Sequence, residues 1–238
     1  MTAARIDRVV AVAGATGGAG RAAVAAFARV GARLGLIGTD EGRLAALADE
    51  LGLEAGRWHP RVADLRSADE AREAVAAIEG ALGPVDVLLN LVGGWSGGTP
   101  AVDVSADDVE GMLGQHLYGS LNMIQATVPG MLERGWGRVM AVSTPLVAEP
   151  GPRGGGYLVA KAAQEALMRT LARDTAGTGV TANLIIVRNI DVKHERESDP
   201  TPKNASWTTP EEIARVMVML AGDAASTING ARIPLYGR

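Results

Sequence analysis

The amino-acid sequence predicts a three-layer α/β sandwich built on a parallel sheet, and three observations carry that expectation. Short β-branched apolar runs alternate with longer stretches of helical periodicity along the whole chain. Several runs are almost wholly apolar, such as Val85-Asp86-Val87-Leu88-Leu89 and Val139-Met140-Ala141-Val142, which suits strands covered on both faces. The 238 residues, 47% hydrophobic and 21% charged, suffice for a large core and have the make-up of an ordinary globular chain. Crossovers between parallel strands are right-handed, so this alternation lays helices on both faces. The result is a doubly wound, Rossmann-type sandwich with a seven-stranded parallel sheet.

Strands are expected at 8–13, 33–37, 57–62, 85–91, 137–143, 180–187 and 231–235. The first helix, 19–30, is alanine-rich and stops at Gly31; Phe27 on it belongs to the core. The second, 41–51, carries Leu44, Leu47 and Leu51 at helical spacing before Gly52. Ser67 and Glu70 form a capping box that opens the third, which closes near 82 at Gly83-Pro84. Ser105-Ala106-Asp107-Asp108 starts a fourth that runs to about 133, and a fifth covers 157–176 before Gly177. Thr209-Pro210-Glu211-Glu212 puts proline at the first helical position of a sixth. Two long loops, 93–104 and the polar, proline-bearing 188–208, follow strands directly. Ligands of doubly wound folds bind beyond the carboxyl ends of the strands, so these loops are the expected substrate walls.

Composition narrows the function. With 23 basic against 27 acidic residues the formal charge is −4, so there is no cationic footprint for nucleic acid. The absence of cysteine excludes disulfides, thiolate metal sites and cysteine nucleophiles, and suits a reducing compartment. The apolar run 9–13 is broken by Gly14 and Gly17-Gly18, too early for a secretory core or a membrane span. A cytoplasmic protein without membrane association is the expectation. His59 and His194 lack ligand spacing, so no metal site is expected.

Gly14-Ala15-Thr16-Gly17-Gly18-Ala19-Gly20 joins the first strand to the first helix. Glycines there let the backbone turn tightly and approach a pyrophosphate, whose charge rests at the helix N-terminus. In a chain with 31 glycines the pattern arises by chance about half a time, so its force lies in its strand–turn–helix setting. Arg21-Ala22 follow Gly20 in place of Lys and Ser/Thr, which argues against a phosphate-binding loop of the nucleotide-triphosphatase kind. With no repeat or linker dividing the chain, 1–238 is read as a single dinucleotide-binding domain. The ribose-reading position falls at Gly38-Thr39-Asp40-Glu41. Asp40 is placed to chelate a ribose diol, but capping the next helix together with Glu41 is its better reading.

Tyr157-Leu158-Val159-Ala160-Lys161 sets a phenol and an ammonium four apart on one helix face. In a chain with three tyrosines and three lysines, chance supplies this spacing only about 0.04 times. A nearby ammonium favours the phenolate and is expected to lower the tyrosine pKa toward the working pH, as an acid/base group needs.

Glycine turn, tyrosine–lysine pair and chain length together resemble the classical short-chain dehydrogenases/reductases, in order and over nearly the whole sequence. The resemblance implies hydride transfer between NAD(H) or NADP(H) and a small alcohol or its ketone or aldehyde. Tyr157 would be the general acid/base, and Lys161 would bind the nicotinamide ribose and tune Tyr157. Gly14, Gly18 and Gly20 match the pyrophosphate turn, Asp64 the acidic residue that contacts adenine, and Asn90 the first asparagine of Asn-Asn-Ala-Gly. Ile228-Asn229-Gly230 and Tyr236-Gly237 resemble the family's usual ending. The catalytic hydroxyl falls at Thr144 by spacing and at Ser143 by residue type; adjacent strand residues face opposite ways, so one of the two is expected at the site. A homotetramer or homodimer, assembled partly through helices 105–133 and 156–176, is also implied.

Departures from the family's pattern are specific. His116 stands where an asparagine feeds a proton relay; histidine titrates near neutrality, so it is able to relay protons itself, or else it packs within the helix. Val187-Arg188-Asn189 replaces Pro-Gly after the sixth strand, and Val192 replaces the threonine that holds the nicotinamide carboxamide, although Asn183 is kept. Gly38 occupies the aspartate typical of NAD-users and Thr39 the arginine typical of NADP-users. Without a carboxylate at the first, the balance tilts to NADP(H), with Arg43 or Arg21 to meet the 2′-phosphate. Trp95 and Trp207 either face the site mouth or are half-buried packing residues. These departures motivate a rival reading, a catalytically impaired dinucleotide-binding sensor or assembly subunit of the same fold. Epimerases and dehydratases of related fold are longer and space their glycines differently.

Overall fold

The structure, a computed structural model, describes residues 6–236; Gly237, part of the C-terminal resemblance, lies outside the described residues. Seven parallel strands run in the order β3-β2-β1-β4-β5-β6-β7. They are β1 (Val9–Ala13), β2 (Arg33–Gly38), β3 (Trp58–Val62), β4 (Val85–Asn90), β5 (Gly137–Ser143), β6 (Val180–Ile186) and β7 (Arg232–Pro234). Pro60, which has no N–H to give, is tolerated because β3 is an edge strand.

The apolar strands divide their side chains between two cores, as the period of two requires. Val9, Ala11, Leu88 and Val139 face α3 (Ala68–Leu82), α5 (Gly119–Arg134) and α6 (Gly155–Asp174). Val10, Val12, Leu89 and Met140 face α1 (Gly18–Arg29), α2 (Glu41–Glu50) and, after the single-turn α7 (Glu195–Ser198), α8 (Pro210–Ala221). Phe27 is fully buried in the second core.

Local signals set most helix ends, with two differences from expectation. Thr209 and Glu212 form a full capping box on α8. At α3 the box is only half made: Ser67 accepts from the Glu70 amide, but the Glu70 carboxylate turns instead to the Asp64 amide at 2.8 Å. The helix expected at 105–133 is interrupted. After α4 (Ala106–Leu113) comes a single π-helical turn, Gly114–Tyr118, which leads into α5. Such turns insert one extra residue and re-aim the side chains that follow, and they favour functional sites. His116 lies in the middle of this one.

Strand order reverses between β1 and β4, and there Ala13 pairs with Asn90. A crevice opens at such a switch point, beyond the carboxyl ends of the strands. The glycine turn and the 93–104 loop both leave from it, while β5, β6 and α6 bring the remaining site residues from one side.

Candidate active site

The turn after β1 is built by steric exclusion. Gly14 has φ +83°, and a Cβ there would stand 2.9 Å from the backbone of Leu91. A Cβ on Gly20 would collide with the Gly14 carbonyl oxygen, so the two glycines make room for one another. α1 then follows Gly17, which caps it with no side chain, and has no acidic residue in its first turn. Its N–H groups are left for an anion. Val192, from the segment after β6, closes over the turn and touches Gly18. Gly20→Ala is expected to weaken dinucleotide binding at least about tenfold by pushing the turn open; fluorescence titration checks this, and unchanged affinity would place the ligand elsewhere.

Two adjoining cavities fill the crevice and share the Leu91-Val92-Gly93 wall. One, of about 520 Å³, is lined by Gly14, Thr39, Arg43, Asp64 and Arg66. Thr39 and Asp64 thus both reach it, but the Asp64 carboxylate is gripped by Arg66, Nε to Oδ1 at 2.9 Å, which holds its pKa below the usual range. Asp40 caps α2, accepting from the Arg43 amide at 2.8 Å. Arg21, expected as a phosphate ligand, is instead drawn to Glu50 across the α1–α2 surface. Its carboxylate partner leaves Arg43 as the arginine of that pair on this cavity.

The second cavity, about 500 Å³, is lined by Asn90, His116, Ser143, Tyr157 and Lys161, with Trp95 and Arg188 toward its mouth. Ser143, not Thr144, reaches this wall: the chain turns into a 3-10 turn at Pro145, and the Thr144 hydroxyl caps it from the Leu146 amide. Trp95 is 69% exposed beside the opening, whereas Trp207 lines a separate pocket with Arg196 and Tyr236. The 188–208 loop carries Trp207 away from the site because Arg196 donates to the Trp207 carbonyl and pairs with Glu212.

Electrostatics here revise the expected roles. Burial pushes the Tyr157 phenol up to about 12, the reverse of the lowering expected from Lys161. Lys161 does not counter this, because its ammonium turns into the protein: Nζ donates to the Val142 carbonyl at 2.8 Å and to Gln164 Oε1 at 3.0 Å. Gln164 in turn donates to Ser120 at 2.7 Å, so the lysine is held by a chain reaching from β5 to α5. Burial brings the Lys161 ammonium down to about 7, against the pull of Glu165. Histidine 116 is no near-neutral relay either: burial, then the charge of Lys161, lowers it to about 4. It is therefore a neutral ring whose Nε2–H donates to the Gly94 carbonyl at 3.0 Å. Gly93, at φ +147°, lies against that ring where a side chain would clash. The other edge of the imidazole meets the Tyr157 ring at a centroid distance of 5.6 Å and 78°. His116 thereby joins the 93–98 loop to the phenol.

Sequence reasoning missed Glu165. Ser143 Oγ donates to Glu165 Oε1 at 2.7 Å, and Arg232 on β7 pairs with Oε2 at 2.8 Å. Glu165 sits one turn beyond Lys161 on α6, which was a readable signal; its partner is 67 residues away, which was not.

The residues fit a dinucleotide. Besides the glycine turn and the uncapped α1 terminus, Asn90 Nδ2 is a buried donor with no partner among the described residues. A buried unpaired amide at a switch point is a group kept for a ligand. An anion-binding turn continuous with a phenol and an ammonium defines a nucleotide-dependent oxidoreductase. The chain belongs to the short chain dehydrogenase family, whose model matches residues 8–203. It is 36% identical over 171 residues to a short chain dehydrogenase of Pseudocercospora fijiensis, spanning 71% of this chain and 55% of that one. A D-threitol dehydrogenase of Mycolicibacterium smegmatis is 29% identical over 98% of this chain and 93% of its own. The crystal structure of levodione reductase superposes with a TM-score of 0.88 at 25% identity, covering 98% of this chain and 97% of that chain. The seven-stranded Rossmann-type sheet and the NAD(P)-dependent oxidoreductase class follow. Among the described residues no helix is long and apolar enough to cross a membrane.

Proposed function

We propose that the protein reduces a small ketone or aldehyde to its alcohol, and catalyses the reverse, with Tyr157 as general acid/base. The observation that carries this reading is the convergence of Tyr157, Lys161 and Ser143 on one cavity at the switch point. A bound nicotinamide dinucleotide supplies the hydride for reduction and accepts it in oxidation. Gly14, Gly18 and Gly20 would hold its pyrophosphate over the α1 terminus, and Asn90 and Lys161 its ribose end. Thr39 and Arg43 face the adenosine side, while Asp40 is spent as a helix cap, which favours NADP(H). The phenol gives its proton to the substrate oxygen as that oxygen becomes an alkoxide, and recovers it from the alcohol in reverse. Ser143 orients the substrate oxygen: its O–H, directed to Glu165 before substrate enters, turns to donate to the carbonyl oxygen, and its lone pairs accept from the alcohol in the reverse direction. The named substrates of two relatives, threitol and levodione, are small hydroxyl- and carbonyl-bearing molecules of the same class. Cytoplasmic residence and assembly as a homotetramer or homodimer through α4–α5 and α6 complete the proposal. The half-exposed Tyr118 and Val159 on those helices favour assembly there, and light scattering tests it.

Consumption of NADPH and NADH over a panel of small ketones, aldehydes and dicarbonyls tests the reading. Dinucleotide binding with no consumption across the panel would instead favour a sensor or assembly subunit. The phenol also fixes a pH signature. With a pKa raised to about 12, Tyr157 keeps its proton across pH 7–9, so any fall of the reduction rate in that window should follow the Lys161 ammonium, which burial brings down to about 7. Oxidation needs the phenolate, whose fraction grows about tenfold per pH unit below the pKa, so kcat/KM for the alcohol should climb toward alkaline pH. A flat alcohol profile would contradict the assignment of the proton to Tyr157.

A further inference from the structure

We propose that Arg188 is a specificity-determining residue that selects a carboxylate-bearing hydroxy or oxo compound as the substrate of this cavity. The inference rests on the oxidoreductase reading above and adds the substrate class. Arg188 stands two residues beyond the end of β6 and lines the substrate-side cavity beside Asn189. No aspartate or glutamate lines that cavity, and its charged side chains are Lys161 and Arg188. Two of the three N–H donors of Lys161 go to Val142 and Gln164 and the third faces the ribose in the reading above, which leaves Arg188 to meet the substrate.

The contrast with neighbouring arginines sharpens this. Arg196 pairs with Glu212 and Arg232 with Glu165, while Arg188 has no carboxylate partner among the described residues. Its guanidinium is nonetheless placed, at 5.2 Å from the centre of the Tyr236 ring. A cation stacked on a ring keeps its planar N–H edge free, and that edge matches a carboxylate in a two-point contact. Tyr236 packs partly against the core that α3, α5 and α6 share, and also lines the pocket that holds Trp207. The guanidinium stands on the same cavity as Tyr157, Ser143 and Lys161. Arg188 is exposed at the edge of this cavity, where an entering anion meets it with no counter-carboxylate lining the site to compete.

The test compares matched acids and methyl esters: pyruvate, acetoacetate and 4-oxobutanoate, each against its ester, with the dinucleotide saturating. The expected result is a kcat/KM preference for the acid in at least one pair. Arg188→Gln should lower that value by on the order of 10- to 100-fold, mostly through KM, bringing the acid down toward its ester. Arg188→Lys should restore part of the loss. No preference for any acid in the wild type, in turnover or in binding, would overturn the proposal. So would an Arg188→Gln variant that loses dinucleotide affinity and both members of a pair alike, because the guanidinium would then serve the cofactor. Calorimetric binding of the same acids and esters to the dinucleotide-saturated protein gives the same comparison without turnover. An acid bound selectively but not turned over leaves Arg188 assigned and sinks the oxidoreductase reading, whereas turnover of esters alone does the opposite. No binding of any acid overturns the proposal.

Discussion

Tyr157→Phe is expected to lower kcat for carbonyl reduction by two to four decades, the usual worth of a positioned proton donor. The variant is clean for physical reasons. Phenylalanine fills the same space, so the edge contact with His116 at 5.6 Å survives. The phenol oxygen has no protein hydrogen bond among the described residues, so removing it strands no buried partner. Thermal stability should therefore move little, and dinucleotide affinity should hold because the glycine turn and Asn90 are untouched. Steady-state kinetics and dinucleotide titration on the same preparation check both halves. If Tyr157→Phe retains its turnover, the proton comes from another group, and the mechanism falls while the fold and dinucleotide site stand.

Much of the fold is legible because its signals are local. Val9–Ala13 is wholly buried and so must be apolar at every position, and Gly31, Ser67 and Pro210 mark helix ends by their own backbone chemistry. Part of the site is legible for the same reason: four residues of helix set Tyr157 and Lys161 on one face. What spacing does not supply is environment. It places an ammonium near a phenol but cannot tell that Lys161 turns to the Val142 carbonyl, or that burial then governs the Tyr157 proton. Ser143 and Thr144 are one residue apart at a strand end, and only the 3-10 turn at Pro145 decides which meets the cavity. The π turn around His116 leaves no mark in the sequence, since an extra residue in a helix keeps a helical composition. Buried Arg138 shows the same limit. It interrupts an apolar strand, and only the fold reveals that Gly137 and Gly179 carbonyls and the Trp136 ring receive it.

The ion pair behind Ser143 gives the largest expected effect on stability. Glu165 has a side chain only 4% exposed, and its carboxylate accepts from Ser143 and from two nitrogens of Arg232. Arg232→Met should cost about 3 kcal/mol of unfolding free energy. That is the low end for breaking a buried pair, because Arg232 itself keeps 31% of its side-chain surface and some solvent screens it. The loss comes from stranding the carboxylate rather than from losing an attraction, so Glu165→Leu with Arg232→Met should recover most of it. Glu165→Leu alone leaves a half-solvated guanidinium and should cost less than Arg232→Met. It also releases the Ser143 proton toward the cavity, so its kinetic effect should appear as a changed balance between ketone and alcohol KM. Urea unfolding of the four proteins closes the cycle. A coupling energy below about 0.5 kcal/mol would mean that the two charges act independently.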